Sequence, residues 1–189
     1  MSQDPHYFIA VPLPEDVKQW LKELQGKIKT QEELHYHSWT HVEDFHITLK
    51  FLGAVSDDTF NHMIEYLKNI KDMPRLSLTP SVIGSFGNPN KPRVLWMGVQ
   101  ENPTLSSLYS AVEDKCVDAG FNKETRPYRP HITIGKKWKH GNKIDEDVMA
   151  KLNKLINNRP SFQVDHFVIY QINPSQSPKY KAVKTFKLS

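Results

Sequence analysis

The chain has 189 residues and a formal charge of +4, from 25 Lys and Arg against 21 Asp and Glu with the histidines neutral. A hydrophobic fraction of 38% and an aromatic fraction of 11% suffice for a packed interior, which excludes wholesale disorder and suits one domain. The single cysteine, Cys116, excludes an internal disulfide and a cysteine-rich zinc site, while the mildly basic balance admits an anionic ligand without requiring one.

In chain order, "YFIAVPL" (7–13) is short and apolar and predicts a buried strand. It is broken by Pro12 and followed by acids, so neither a signal peptide nor a membrane span is expected, and the expected location is the cytoplasm. Pro14, Glu15 and Asp16 suit a first helical turn, and Val17, Trp20, Leu21, Leu24 and Ile28 repeat at helical spacing. Residues 30–41 are polar and irregular and are read as a loop. A strand over 45–52 ends at Gly53, and Ser56 caps a helix with Phe60, Met63, Ile64, Leu67 and Ile70 on its buried stripe. Two strands, 76–86 and 93–99, flank the turn-rich "GNPNKP". Pro103 opens a helix bearing Leu105, Leu108, Tyr109, Val112 and Cys116 that stops at Gly120. A strand at 131–134, a helix around 145–157 and strands at 161–172 and 180–187 complete the chain. The expected fold class is α+β, one domain of two pseudo-symmetric lobes of antiparallel sheet with outer helices.

The tripeptide His-Ile-Thr occurs twice, at 46–48 and at 131–133, each time inside an apolar alternating run. Residues two apart on a strand share a face. Alternation therefore puts Phe45, Ile47, Leu49 and Phe51 on one side of the first copy and His46, Thr48 and Lys50 on the other. In the second copy His131 and Thr133 share a face. One such strand would be read as an ordinary half-exposed strand. Two copies, related by a two-fold axis, would bring both imidazoles to one cleft. Imidazoles with pKa values of about 6.5 can supply one base and one acid at neutral pH. Hydroxyls and a cation add donors for a phosphate. That set can open a cyclic phosphodiester without a metal.

The two motifs resemble the paired His-x-Thr signatures of the two-histidine phosphoesterases, specifically the RNA 2′,3′-cyclic phosphodiesterase (LigT, or 2′-5′ RNA ligase) branch. "YFIAVPLPEDV", "SWTHVEDFHITLKFLG", "SFGNPNKPRVLWMGV", "RPYRPHITIGK" and "YKAVKTFKL" are each similar to a segment of that family, covering nearly the whole chain. The resemblance implies a bilobal fold with the active site between the lobes. It also implies metal-independent hydrolysis of RNA 2′,3′-cyclic phosphate ends to 2′-phosphomonoesters, which some members also run in reverse as a 2′-5′ ligation. It makes His46 the proton donor to the leaving 3′ oxygen and His131 the acceptor that activates water, with Thr48 and Thr133 on the phosphate oxygens. No cofactor or metal is implied, and the implied partner is RNA with a cyclic phosphate end, or a cyclic nucleotide, bound by a monomer away from membranes.

The family usually carries Arg where this chain has Lys136, and lysine lacks the planar two-pronged donor geometry. Strand alternation selects Lys137 for the His131 face, whereas the resemblance selects Lys136, which a bulge would turn inward. Tyr128 and Phe86 are candidates to stack a base, as is Trp138, and Arg126 and Arg129 to meet RNA phosphates. His35, His37 and His41 have a spacing reminiscent of metal ligands but no nearby Cys or acidic third ligand. Two alternatives remain: a cyclic phosphodiesterase acting on small nucleotides such as an ADP-ribose cyclic phosphate, and a non-catalytic RNA- or nucleotide-binding module.

Overall fold

Residues 3–140 and 143–189 are described by the computed structural model of the chain. Strand β1 (His6–Pro12) is apolar from Tyr7 onward because both faces are covered. Tyr7, Ile9 and Val11 enter the main core, and Phe8 and Ala10 join a smaller cluster with Val168 and Tyr170. Helix α1 (Glu15–Lys29) places Glu15 and Asp16 at the positive end of its dipole and buries Val17, Leu21, Leu24 and Ile28. The segment read as a loop contains a strand, β2 (His35–Trp39). Only Tyr36 in it is buried, so its apolar signal is weak. Pairing with β7 (His131–His140) makes it a strand.

Strand β3 (His46–Ala54) leads to α2 (Asp57–Leu67), whose N-cap Ser56 hydroxyl accepts from the Thr59 N–H. The apolar run at 76–86 divides into β4 (Leu76–Leu78) and β5 (Pro80–Asn88), which serve different sheets. After β6 (Lys91–Val99), α3 (Pro103–Asp118) is capped by the Asn102 side chain, and Gly120 supplies the positive φ of 95° that turns the chain away. Strand β7 continues to His140 rather than stopping at Ile134, with Trp138 packed edge-on to Tyr36 at 5.3 Å. Helix α4 (Glu146–Asn153) precedes β8 (Phe162–Val164), β9 (His166–Ile172) and β10 (Tyr180–Lys187). The expected single strand over 161–172 is thus two, because β8 pairs with β4 and β9 with β1.

Two four-stranded antiparallel sheets result, ordered β10-β9-β1-β3 and β2-β7-β6-β5. The α+β architecture matches the expectation, but the sheets do not follow the halves of the sequence. Carboxy-terminal β9 and β10 return to the first sheet, and amino-terminal β2 crosses to the second. Ile47 of the first sheet, Leu95 and Ile132 of the second, and Leu21 and Leu108 of the helices belong to one contiguous core. Among the described residues no helix is long and apolar enough to cross a membrane.

Candidate active site

Both histidines are oriented by the same local device. In β3, His46 and Thr48 are half-buried while Ile47 and Leu49 enter the core; in β7, His131 and Thr133 alternate with buried Ile132 and Ile134. His46 Nδ1 lies 2.7 Å from the carbonyl oxygen of Asp44, and His131 Nδ1 lies 2.7 Å from that of Arg129. A carbonyl only accepts, so each Nδ1 carries the hydrogen and each Nε2 keeps its lone pair. The Thr48 hydroxyl donates to His46 Nε2 at 2.9 Å. Phe8 and Tyr180 flank the His46 ring at 4.7 and 5.3 Å, and Phe86 stands edge-on to His131 at 4.8 Å. Burial is the main cause that lowers the pKa of His46 to about 4; the Asp44 carbonyl and carboxylate oppose it, and the Lys136 charge adds to it. Burial likewise lowers that of His131. Burial thus favours the neutral form of both rings, which are not the freely solvated imidazoles expected from the sequence.

A register shift just after each motif decides which residues follow the histidines into the cleft. In β7, Thr133 pairs with Trp96 but Gly135 pairs with the adjacent Leu95. Ile134 and Gly135 are both buried in consequence, and Lys136 comes round to the face of His131 and Thr133. Lys137 adopts a φ of 61° and is exposed. Gly135 keeps that turn uncrowded, since a Cβ would come within 3.2 Å of the Trp39 ring. The same shift occurs in β3, where Thr48 pairs with Ala10 and Lys50 with the adjacent Ile9. Lys50 is therefore buried, and Phe51 emerges 63% exposed beside the cleft. This corrects the strict alternation expected of that strand, which placed Phe51 in the core and Lys50 with His46.

The cleft has a volume of about 260 Å³ and draws His46, Thr48 and Phe51 from the first sheet and Thr133 and Lys136 from the second. Lys179, just before β10, lines it too. Neither Lys136 nor Lys179 takes part in an ion pair among the described residues. His131 is set to one side against Phe86, with its strand neighbours Thr133 and Lys136 forming the wall. The cleft offers the His46 imidazole, the Thr48 and Thr133 hydroxyls and the Lys136 cation to a small anion, with His131 on the strand that supplies Thr133 and Lys136.

Residues 11–96 and 98–180 match the family described as LigT like phosphoesterase. The chain belongs to that family. It is 34% identical over 186 residues to the RNA 2′,3′-cyclic phosphodiesterase of Bacillus subtilis, covering 98% of this chain and 97% of the relative. It is 35% identical over 185 residues to a protein of the same name from Geobacillus stearothermophilus, where the match takes in 97% of this chain but 57% of the relative's length. Among solved structures, E. coli LigT complexed with 3′-AMP has the same fold, with a TM-score of 0.77 at 22% identity over 98% of this chain and 99% of that one.

The remaining candidates of this LigT-like phosphoesterase are placed unequally. The Tyr128 ring is stacked on Tyr109, with centroids 3.9 Å apart, and its hydroxyl donates to the Thr48 carbonyl at 3.0 Å. It braces β3 instead of offering an open platform to a base. Phe86 is a wall of His131. Arg126 is 84% exposed and forked onto Glu124 by bonds of 3.0 and 2.9 Å, and the site uses the Arg129 carbonyl. His35 lies tilted against His140 with ring centroids 4.4 Å apart, His41 caps the short 3₁₀ turn Val42–Asp44, and His37 is exposed. Two residues went unnoticed in the sequence. Phe51 was hidden by the register shift. Asp44 is buried, and its carboxylate accepts from the backbone N–H groups of Lys179 and Tyr180 at 2.9 to 3.1 Å, pinning that wall of the cleft. Its only sequence signal is adjacency to the first motif.

Proposed function

We propose that this chain hydrolyses RNA 2′,3′-cyclic phosphate ends, with His46 and His131 acting on one phosphate. The observation that carries the reading is the identical pinning of both Nδ1 atoms to carbonyls, which dedicates both Nε2 atoms to the substrate. The name of the Bacillus subtilis relative, which aligns over nearly its full length, supports the same chemistry.

In this mechanism His131 Nε2 accepts a proton from water as the oxygen attacks phosphorus. The bond from phosphorus to the 3′ oxygen breaks, and protonated His46 delivers its Nε2 proton to that oxygen, leaving a 2′-phosphate. The substrate displaces the Thr48 hydroxyl from His46 Nε2. Thr48, Thr133 and Lys136 then hold the phosphate oxygens and balance the negative charge that develops on them as the water attacks. Phe51, exposed at the cleft edge, supplies a face on which the terminal base can stack.

The test is incubation with an RNA ending in 2′,3′-cyclic phosphate, with EDTA present and the product terminus identified. The expected product is a 2′-phosphate. A product carrying only 3′-phosphate overturns the role of His46. Turnover confined to cyclic mononucleotides would move the substrate to small nucleotides, and binding without turnover would leave only a binding module.

A further inference from the structure

Lys50 and Glu113 form an ion pair inside the molecule, 2.7 Å apart, with 8% and 5% of their side chains exposed. A buried pair of this kind is a weak source of stability, because desolvating both ions offsets their attraction and apolar packing often serves as well. Here the pair also leaves Glu113 Oε2 without a hydrogen-bond partner among the described residues. Its other contacts are more informative. The Lys50 ammonium donates to the Asn122 carbonyl at 2.6 Å, and Glu113 Oε1 accepts from the Glu124 backbone N–H at 2.6 Å.

Asn122 and Glu124 lie in the irregular segment 121–130, which leads directly into His131. The far end of that segment is tied down by Tyr128, through its stack on Tyr109 of α3 and its hydroxyl on the Thr48 carbonyl. The next residue, Arg129, supplies the carbonyl that orients His131. Strands β3 and β7 lie in different sheets and meet by side-chain packing, so no hydrogen-bonded ladder fixes the separation of the two imidazoles. The ties through Lys50, Glu113 and Tyr128 join the segment that delivers one histidine to the strand that carries the other.

We infer that the Lys50–Glu113 pair and the Tyr128 hydroxyl are positioning groups for the reaction, holding His131 in register with His46. The inference rests on the acid–base reading of the two histidines. The pair is a spacer between the two motifs, and its charges matter because the cation holds a carbonyl and the carboxylate an N–H of the same irregular segment.

The experiment compares wild type with Lys50→Met/Glu113→Leu, which replaces the pair by apolar side chains, and with Tyr128→Phe, which removes one hydroxyl. Steady-state kinetics on a 2′,3′-cyclic nucleotide are measured with thermal melts and NMR of the histidine rings. The double variant should fold as stably as wild type yet lose about 10- to 100-fold in kcat with KM nearly constant, since a displacement near 1 Å is enough to cost that much. Tyr128→Phe should lose about tenfold in kcat on the same ground, again without a change in KM. In both, the His131 ring signals should move. Wild-type kcat and unmoved His131 signals in a folded variant overturn the proposal. If the double variant melts early, Tyr128→Phe decides by the same readouts. Absence of turnover in wild type would instead overturn the acid–base reading, and the His131 signals would then judge the positioning role alone.

Discussion

The Nε2 atom of His46 must carry a proton to act as an acid, yet burial favours its neutral form and lowers its pKa to about 4. A bound phosphodiester reverses this, because an adjacent negative charge favours the imidazolium. The sign follows: substrate binding raises the His46 pKa, so the protonated acid persists to higher pH in the complex than in the free protein. Since kcat/KM reports the free enzyme and kcat the complex, the kcat optimum should lie at higher pH than the kcat/KM optimum. Steady-state profiles between pH 4 and pH 9 test this, and coincident optima would mean that the phosphate does not charge His46. Lys136 presents the second test at this scale. It lines the cleft while Lys137 points away at a φ of 61°. A charge-assisted contact contributes about 1.5–3 kcal/mol, so Lys136→Ala should lower kcat/KM by about 10- to 100-fold. Lys137→Ala should leave it within about twofold, as for a surface change. A larger loss at Lys137 would show that the cation reaches the phosphate from the other side of the strand.

At the scale of the strand, the paired register shifts make the two motifs alike in geometry and different in chemistry. Phe51 and Lys136 stand the same number of residues beyond His46 and His131, and both are turned to the cleft. One sheet thus offers an aromatic face where the other offers a cation. Base stacking on such a face contributes about 1–3 kcal/mol. Phe51→Ala should therefore cut kcat/KM for a cyclic nucleotide by about tenfold or more, leave a base-free substrate such as glycerol 1,2-cyclic phosphate unchanged, and hardly alter the melting temperature of a side chain already 63% exposed. Equal losses on both substrates would mean that Phe51 shapes the phosphate site instead. The shifts also explain what the sequence could not convey. Alternation located His46, Thr48, His131 and Thr133 correctly on their strands, because it holds until Leu49 and Ile134. It failed immediately beyond, at Lys50, Phe51 and Lys136, since a bulge depends on the neighbouring strand and leaves no periodic trace. Strand β2 was missed for a related reason. It has one buried residue, Tyr36, and owes its existence to pairing with β7 rather than to its own apolar content.

For the whole molecule, the decisive feature is that each histidine comes from a different sheet and that the two sheets share one core and one cleft. Such a site has no half-reaction that one sheet could complete. In the proposed mechanism, water is not deprotonated with His131 absent, and the 3′ oxygen departs unprotonated with His46 absent. Each change to Ala should then lower kcat by about 10²–10⁴, the usual size of one acid–base contribution. Once either is lost, the concerted transfer is already gone, so the second change has little left to remove. The His46→Ala/His131→Ala variant should thus lose far less than the product of the single losses, as groups acting as a unit do. Neither ring belongs to the residues of the main core, so the melting temperatures should stay close to wild type. The four proteins compared in single-turnover hydrolysis, with melts alongside, give the answer. Multiplicative losses would assign each histidine its own independent step, and large drops in melting temperature would make the losses structural. Strong non-additivity in stable proteins requires both imidazoles on one phosphate.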